Sequence, residues 1–266
     1  MIAPTEENKL LSTLHTDKRG TMAENILDGR WEPLGKNAKV FATREHSFNT
    51  DTILLAHFSS PKRKDNCADF GTGCGTIPLI WASKYTPKSI TAVELQDKAY
   101  LQAKMSIEEC GFDIKLIQND VNNFKELFPH QNLDLISCNP PYKADGTGIK
   151  NEVENMKIAR HEDFLSLEQL AVAAKFSLKY GGRLCICQRP ERLSDAMNIF
   201  RANQLEPKKL RLVQTRRDTA PFIFLLECRR GGKSGLEVMP TLILEENGQT
   251  TPEMLEIYGD YKDYSK

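Results

Sequence analysis

Residues 66–84 read NCADFGTGCGTIPLIWASK. A short apolar run stops at three glycines in alternate positions, and an apolar segment with a proline in its first turn follows. This predicts a buried strand, a tight turn and a helix, since proline in the first turn removes an N–H that has no helical partner. The same alternation continues downstream. SITAVEL (89–95) reads as a strand, and DKAYLQAKMSIEECG (97–111) as a helix capped by Asp97 and closed by Gly111. IKLIQND (114–120) is a strand, VNNFKELF (121–128) a short helix and LDLISCN (133–139) a strand. SLEQLAVAAKFSLKYGG (166–182) opens with a capping box from Ser166 to Gln169 and is expected to end on glycine. RLCICQ (183–188) is a strand and RLSDAMNIFRANQ (192–204) a helix. Repeated β-α alternation of this kind predicts a parallel sheet covered by helices on both faces.

The ending breaks the pattern. KLRLVQT (209–215) and PFIFLLECR (221–229) are separated only by RRDTA, too short for a crossover helix, so they predict an antiparallel hairpin. The expected fold class is α/β, with a mainly parallel seven-stranded sheet and an antiparallel C-terminal hairpin. Residues 1–65 read as an N-terminal extension, in which KVFATREHSFNTDTILLAHF (39–58) gives a short strand or hairpin and then a helix beginning at Thr50 or Asp51. Residues 66–235 carry the alternation. Residues 236–266 form an acidic extension expected to dock as a strand and a helix, with Pro252 after Thr251 as a helix start. Residues 143–160 are a long polar loop, and loops of that length are often functional.

Composition narrows the class. Of 266 residues, 40% are hydrophobic and 27% charged, as in ordinary soluble proteins. No apolar run approaches the roughly 20 residues that span a bilayer, and the N-terminus lacks the pattern of a secretory signal. The seven cysteines lie mostly in apolar runs and contain no CxxC, so they read as reduced thiols of a cytoplasmic protein without structural zinc. Net charge is zero but uneven: residues 208–233 carry Lys208, Lys209, Arg211, Arg216, Arg217, Arg229, Arg230 and Lys233 against only two acids. Such a stripe either binds phosphates or simply solvates strand edges.

Ligands of open parallel sheets bind outside the carboxyl ends of the strands. Four such ends carry informative residues here. The first is DFGTGCG, with Asp69, Gly71, Thr72, Gly73, Cys74 and Gly75; its G-x-G-x-G spacing is not the G-x-G-x-x-G of dinucleotide binders. The second is Glu94, followed by Leu95, about 20 residues on, where an acid can hold ribose hydroxyls. The third is Asp120, followed by Val121, able to accept from an adenine amino group. The fourth is Asn139-Pro140-Pro141-Tyr142. The prolines end the strand and leave the Asn139 side chain and nearby carbonyls free to accept hydrogen bonds.

In this order the motifs resemble the Rossmann-like class I methyltransferases that use S-adenosylmethionine, in which NPPY marks methylation of planar amino or amide nitrogens. The segment SFNTDTILLAHF (47–58) and ARHEDF (159–164) further resemble the bacterial tRNA1(Val) adenine-N6 methyltransferases, which act on the adenine 3′ to the anticodon. The resemblance runs from about Phe48 to Arg230. It implies catalysis by Asn139, Pro140, Pro141 and Tyr142. S-adenosylmethionine is then held by Phe48, Asp51, the glycine turn, Glu94, Leu95, Asp120, Val121 and Asn139. tRNA is contacted by Arg160, His161, Lys208, Lys209, Arg216 and Arg217, with no metal and no membrane. For Phe48 and Asp51 a purely structural role stays open, since DTILLAHF is also readable as an amphipathic helix, and for His161 and Glu162 too, as anchors of the long loop or of the start of the next helix. NPPY serves an amide nitrogen equally well, so the glutamine of a release factor remains an alternative acceptor, as do other RNA or DNA bases. A non-catalytic, cofactor-binding RNA chaperone is the reading that the intact tetrad disfavours.

Overall fold

The computed structural model describes residues 28–35, 37–44, 47–140 and 165–259. Seven strands form the body of one sheet: β3 (Asn66–Phe70), β4 (Ser89–Glu94), β5 (Lys115–Gln118), β6 (Leu133–Cys138), β7 (Leu178–Gln188), β8 (Leu205–Gln214) and β9 (Ile223–Arg230). Their spatial order is β8-β9-β7-β6-β3-β4-β5. The pairs β3–β4, β3–β6, β4–β5 and β6–β7 are parallel, and β9 is antiparallel to both β7 and β8. Two further strands of two residues each, β10 (Glu237–Val238) and β11 (Leu242–Ile243), run along β8. The chain therefore leaves β3 in one direction, through β4 and β5, and returns on its other side as β6. Ligand sites form at such a reversal.

The apolar runs are continuous because both faces of the sheet are covered, and successive side chains enter opposite cores. In β7, Cys185 and Cys187 belong to one core while Leu184 and Ile186 belong to the other; in β9, Ile223 and Leu225 oppose Phe224 and Leu226. The first core is closed by helices α1 (Thr50–Ser59), α2 (Thr76–Ile80) and α3 (Asp97–Cys110), α2 continuing as a π-helical turn over Trp81–Tyr85. The second is closed by α4 (Phe124–Leu127), α5 (Leu167–Ser177) and α6 (Leu193–Ala202). The hairpin β1 (Gly29–Pro33) and β2 (Lys39–Thr43) sits on α3, with Phe41 N–H donating to Ser106 Oγ at 2.9 Å.

Several local expectations change. α1 is not amphipathic: Ile53, Leu54, Leu55 and Ala56 are all buried in succession, so apolar contact surrounds the helix. Its cap is Asn49, just ahead of the expected start, and the indole of Trp81 donates to Ala56 O (3.2 Å) near its other end. Gln96 precedes α3 and Asp97 is its first residue, where the carboxylate accepts from Gln118 instead of capping. The capping box of Ser166 and Gln169 forms, but α5 ends at Ser177 and passes directly into β7, leaving Gly181 and Gly182 inside the strand at its irregular start. Helix α7 (Pro252–Tyr258) begins as expected, Thr251 Oγ1 accepting from Met254 N.

Candidate active site

The glycine turn is braced from β4. Val93 O accepts from Gly71 N (2.9 Å) and Thr72 N (3.0 Å), and Glu94 Oε2 accepts from Gly73 N at 2.8 Å. Glu94 Oε1 also accepts from Leu95 N and Gln96 N, both at 2.9 Å. Burial pushes this carboxyl above its ordinary range, and the three N–H groups pull it back. A carboxylate offers about four lone-pair sites, so one remains on Oε2. Gly71 and Gly73 have φ of 71° and 59°, and among the described residues no atom beyond the chain neighbours lies within 4 Å of where a Cβ on either would stand. Glycine lets the backbone adopt this left-handed turn and leaves open space over it.

Beneath the turn, Asp69 is 1% exposed and its Oδ1 accepts from Ser137 Oγ of β6. Oδ2 and the Thr72 hydroxyl influence each other but do not meet hydrogen-bond geometry. Burial raises the Asp69 carboxyl to about 6; the Ser137 and Thr72 hydroxyls lower it and the charge of Glu94 raises it further. Phe70 stands opposite Cys138, so Asn139 leaves the sheet beside Gly71. Asn139 Nδ2 donates to Thr52 Oγ1 of α1 at 3.3 Å, and Pro140 is buried.

The remaining predicted residues divide. Asp120 caps the single turn at Val121–Asn123, accepting from Asn122 N at 2.8 Å, and is half-buried at the end of β5. Asp51 is buried in the first turn of α1, one residue from the partner of Asn139. Cys74 and Val121 are buried in the two cores, so only their backbones border the turn. Burial raises the thiols of Cys74 and Cys138 above their ordinary value. Phe48 packs on the first core and lines a cavity of about 560 Å³ under the hairpin with Arg30, Glu32, Thr43 and Arg44; no residue of the glycine turn lines that cavity. Pro141, Tyr142, Arg160, His161 and Glu162 lie outside the described residues. Among the described residues no cluster of His, Cys, Asp and Glu could hold a metal, and no helix is long and apolar enough to cross a membrane. Two residues that sequence reasoning missed, Asn49 and Thr52, reach the site through α1; their only signal was that they flank Thr50 and Asp51.

The basic stripe splits in two. β8 runs in the direction of β7, so Arg216 and Arg217, just beyond its end, lie at the same end of the sheet as Asn139. Their side chains are exposed and pair with Asp218 (3.4 Å) and Glu246 (2.7 Å). Lys208 lies toward the other end, with Nζ donating to Lys233 O (3.1 Å) and Gly235 O (2.6 Å). Arg211 is bound by Pro240 O and Glu253. The acidic C-terminal segment thus covers much of β8.

A doubly wound sheet with a braced glycine turn and an Asn-Pro strand end at its reversal is the arrangement that the resemblance to methyltransferases implies. Consistent with this, residues 34–198 match the family model described as "Methyltransferase small domain". A tRNA1(Val) (adenine(37)-N6)-methyltransferase of Parabacteroides distasonis is 31% identical over 180 residues, 67% of this chain and 74% of that one. The enzyme of the same name from Glaesserella parasuis is 32% identical over 126 residues, 46% of this chain and about half, 52%, of that one. A crystal structure of a predicted O-methyltransferase from Agrobacterium tumefaciens superposes with a TM-score of 0.64 at 18% identity, covering 80% of this chain and 97% of that one, a likeness of fold alone. The chain belongs to the tRNA1(Val) (adenine(37)-N6)-methyltransferase family.

Proposed function

We propose that the protein transfers a methyl group from S-adenosylmethionine to the exocyclic N6 of an adenine in tRNA, the adenine 3′ to the anticodon of a valine tRNA. The observation that carries this reading is the placement of Asn139 and Pro140 beside the glycine turn, at the reversal of the sheet. The residues fit the cofactor. Open space lies over Gly71 and Gly73, Glu94 keeps an acceptor site suited to a ribose hydroxyl, and Asp69 Oδ2 is a buried acceptor with no hydrogen-bond partner among the described residues, of the charge that suits a cationic ligand. Asp120 is the residue suited to an adenine amino group, and Asp51 borders from the first turn of α1, while Phe48, just ahead of that helix, is a cofactor contact on the resemblance alone. When bound, the cofactor supplies an electrophilic methyl on a sulfonium.

The chain's own task is the acceptor. An adenine amine is a weak nucleophile because its lone pair is delocalised into the ring. Asn139 Oδ1 and the Pro140 carbonyl accept its two hydrogens and turn the lone pair out of the ring plane. Pro141 completes the tetrad in the sequence, and Tyr142 is the residue to stack on a flipped base. Holding amine and donor in line removes much of the barrier, and the attacking amine is neutral, so no strong base is needed beforehand. Arg216 and Arg217 are the cations best placed for tRNA phosphates, ahead of Lys208 and Lys209; Arg160 and His161 are further contacts read from sequence alone.

The test uses isotopically labelled S-adenosylmethionine with unmodified tRNA, a release-factor peptide and DNA in parallel, analysed by mass spectrometry. Labelled N6-methyladenosine from tRNA alone is expected. Label on a peptide glutamine would keep the site and replace the substrate. No label on any acceptor, with cofactor bound, would overturn the catalytic reading.

A further inference from the structure

We infer that Thr52 and Asn49 form a positioning relay that fixes which way the Asn139 amide faces, an inference that rests on the role proposed for Asn139. The backbone N–H of Thr52 can only donate, and Asn49 Oδ1 accepts from it at 3.1 Å as the cap of α1. That contact determines which end of the Asn49 amide is oxygen. The Thr52 hydroxyl lies 3.0 Å from the same oxygen and must spend its single proton there. The hydroxyl is left with lone pairs only. Toward Asn139, 3.3 Å away, it can act only as an acceptor, so the amide must present Nδ2 to α1.

An amide is planar, with oxygen and nitrogen on opposite branches. Anchoring the nitrogen to α1 turns the oxygen to the other side, as required of a group that is to accept from an amine. The two orientations of an amide have the same shape, so hydrogen-bond partners distinguish them, and the contact with Thr52 favours the one with Nδ2 on α1. The other would direct an NH₂ group at the substrate amine, donor against donor. The capped hydroxyl of Thr52, 87 residues earlier in the chain, thus sets the polarity of the reacting end. Thr52 and Asn49 are positioning residues; neither needs to touch the substrate.

The test compares Thr52→Val, which keeps the shape and removes the hydroxyl, with Thr52→Ser, which restores it, each in the full chain. Thr52→Val should lower kcat for tRNA about 10-fold or more with KM for both substrates within about 2-fold, the pattern of an interaction used in the transition state. Thr52→Ser should return kcat to within about 2-fold of wild type. Added to Asn139→Ala, Thr52→Val should cost nothing further, because the two act as one unit. A second readout is independent of activity: exchange of the Asn139 side-chain amide protons, assigned by their loss in Asn139→Ala, should be slow in wild type and Thr52→Ser and fast in Thr52→Val. Wild-type kcat in Thr52→Val, equal losses in the valine and serine variants, additivity with Asn139→Ala, or unchanged amide exchange would each overturn the relay. Should wild type fail to methylate tRNA, the substrate proposal falls while amide exchange still decides the relay.

Discussion

Replacing Asp69 by asparagine should make the protein more stable at high pH and remove one part of its pH dependence. Asp69 is buried, and its carboxyl is raised from an ordinary 3.8 to about 6 in the folded chain. The folded state therefore holds the proton more tightly than the unfolded state. This favours folding fully below about pH 4 and is lost as pH rises through about 6. A displacement from 3.8 to about 6 corresponds to about 3 kcal/mol over the whole window. Roughly half of it, about 1.5 kcal/mol, falls between about pH 8 and about pH 5. Urea unfolding of both proteins at those two values isolates the group together with the charge coupled to it, Glu94, because the remaining titrations are common to both. Wild type should gain about 1.5 kcal/mol on Asp69→Asn as the pH falls. Parallel profiles would refute the reasoning, and a gain by the variant would invert it. The amide variant should also bind S-adenosylmethionine less tightly near neutral pH, since it lacks the charge that complements a cation; calorimetry reads that loss separately from stability.

Other outcomes follow from the same geometry. His57 works in the opposite sense: burial, and then the nearby Lys84, lower it from 6.5 to about 4, so it favours folding above about pH 6.5 and that stability is lost as pH falls toward 4. His57→Gln should flatten thermal stability between those values, and an unchanged acid slope would count against this. Gly73→Ala should cost about 1 kcal/mol for its left-handed backbone and weaken cofactor binding about 10-fold or more by filling the space over the turn; full affinity measured by calorimetry would move the cofactor elsewhere. Reversing charge at Arg216 and Arg217 should weaken tRNA binding and lower its salt slope by about 1–2, whereas Lys208→Ala should leave both unchanged. Equal effects from the two changes, read by filter binding across salt concentrations, would return the whole stripe to RNA.

Much of the fold was legible because its determinants are local. The glycine turn, the alternation of strands and helices, the Ser166–Gln169 capping box and the hairpin around RRDTA all depend on neighbours a few residues apart. What could not be read depends on distant partners. Asp97 has the chemistry of a cap, but Gln118 at the end of β5 engages its carboxylate. Glycines at 181 and 182 look like a helix stop, yet β6 pairs with Leu178 and draws the chain into the sheet four residues after Ala174. DTILLAHF could also be read as amphipathic because His57 breaks its apolar run; burial of that region is made possible by Trp81 and Arg183, which take up Ala56 O and Ser59 O. The strand-end residues of the site were visible, but the orientation of Asn139 was not, because it comes from α1.

The charge pattern shows how distance along the chain changes a functional reading. Taken alone, residues 208–233 look like one basic surface and the C-terminal region like a separate acidic one. Parallel pairing of β10 and β11 along β8 lays one against the other, and the ion pair of Arg211 with Glu253 and the carbonyls around Lys208 absorb the stripe over most of the strand. Groups engaged in this way have little to offer a phosphate without giving up existing contacts. Arg217 with Glu246 is different, because its side chain is 73% exposed and its partner about half so. An exposed pair of this kind is worth at most about 1 kcal/mol, and a polyanion with many phosphates can displace the carboxylate at little cost. Since the β8–β9 connection also lies at the end of the sheet where Asn139 emerges, the exchangeable cations Arg216 and Arg217 stand at the end proposed for the acceptor base.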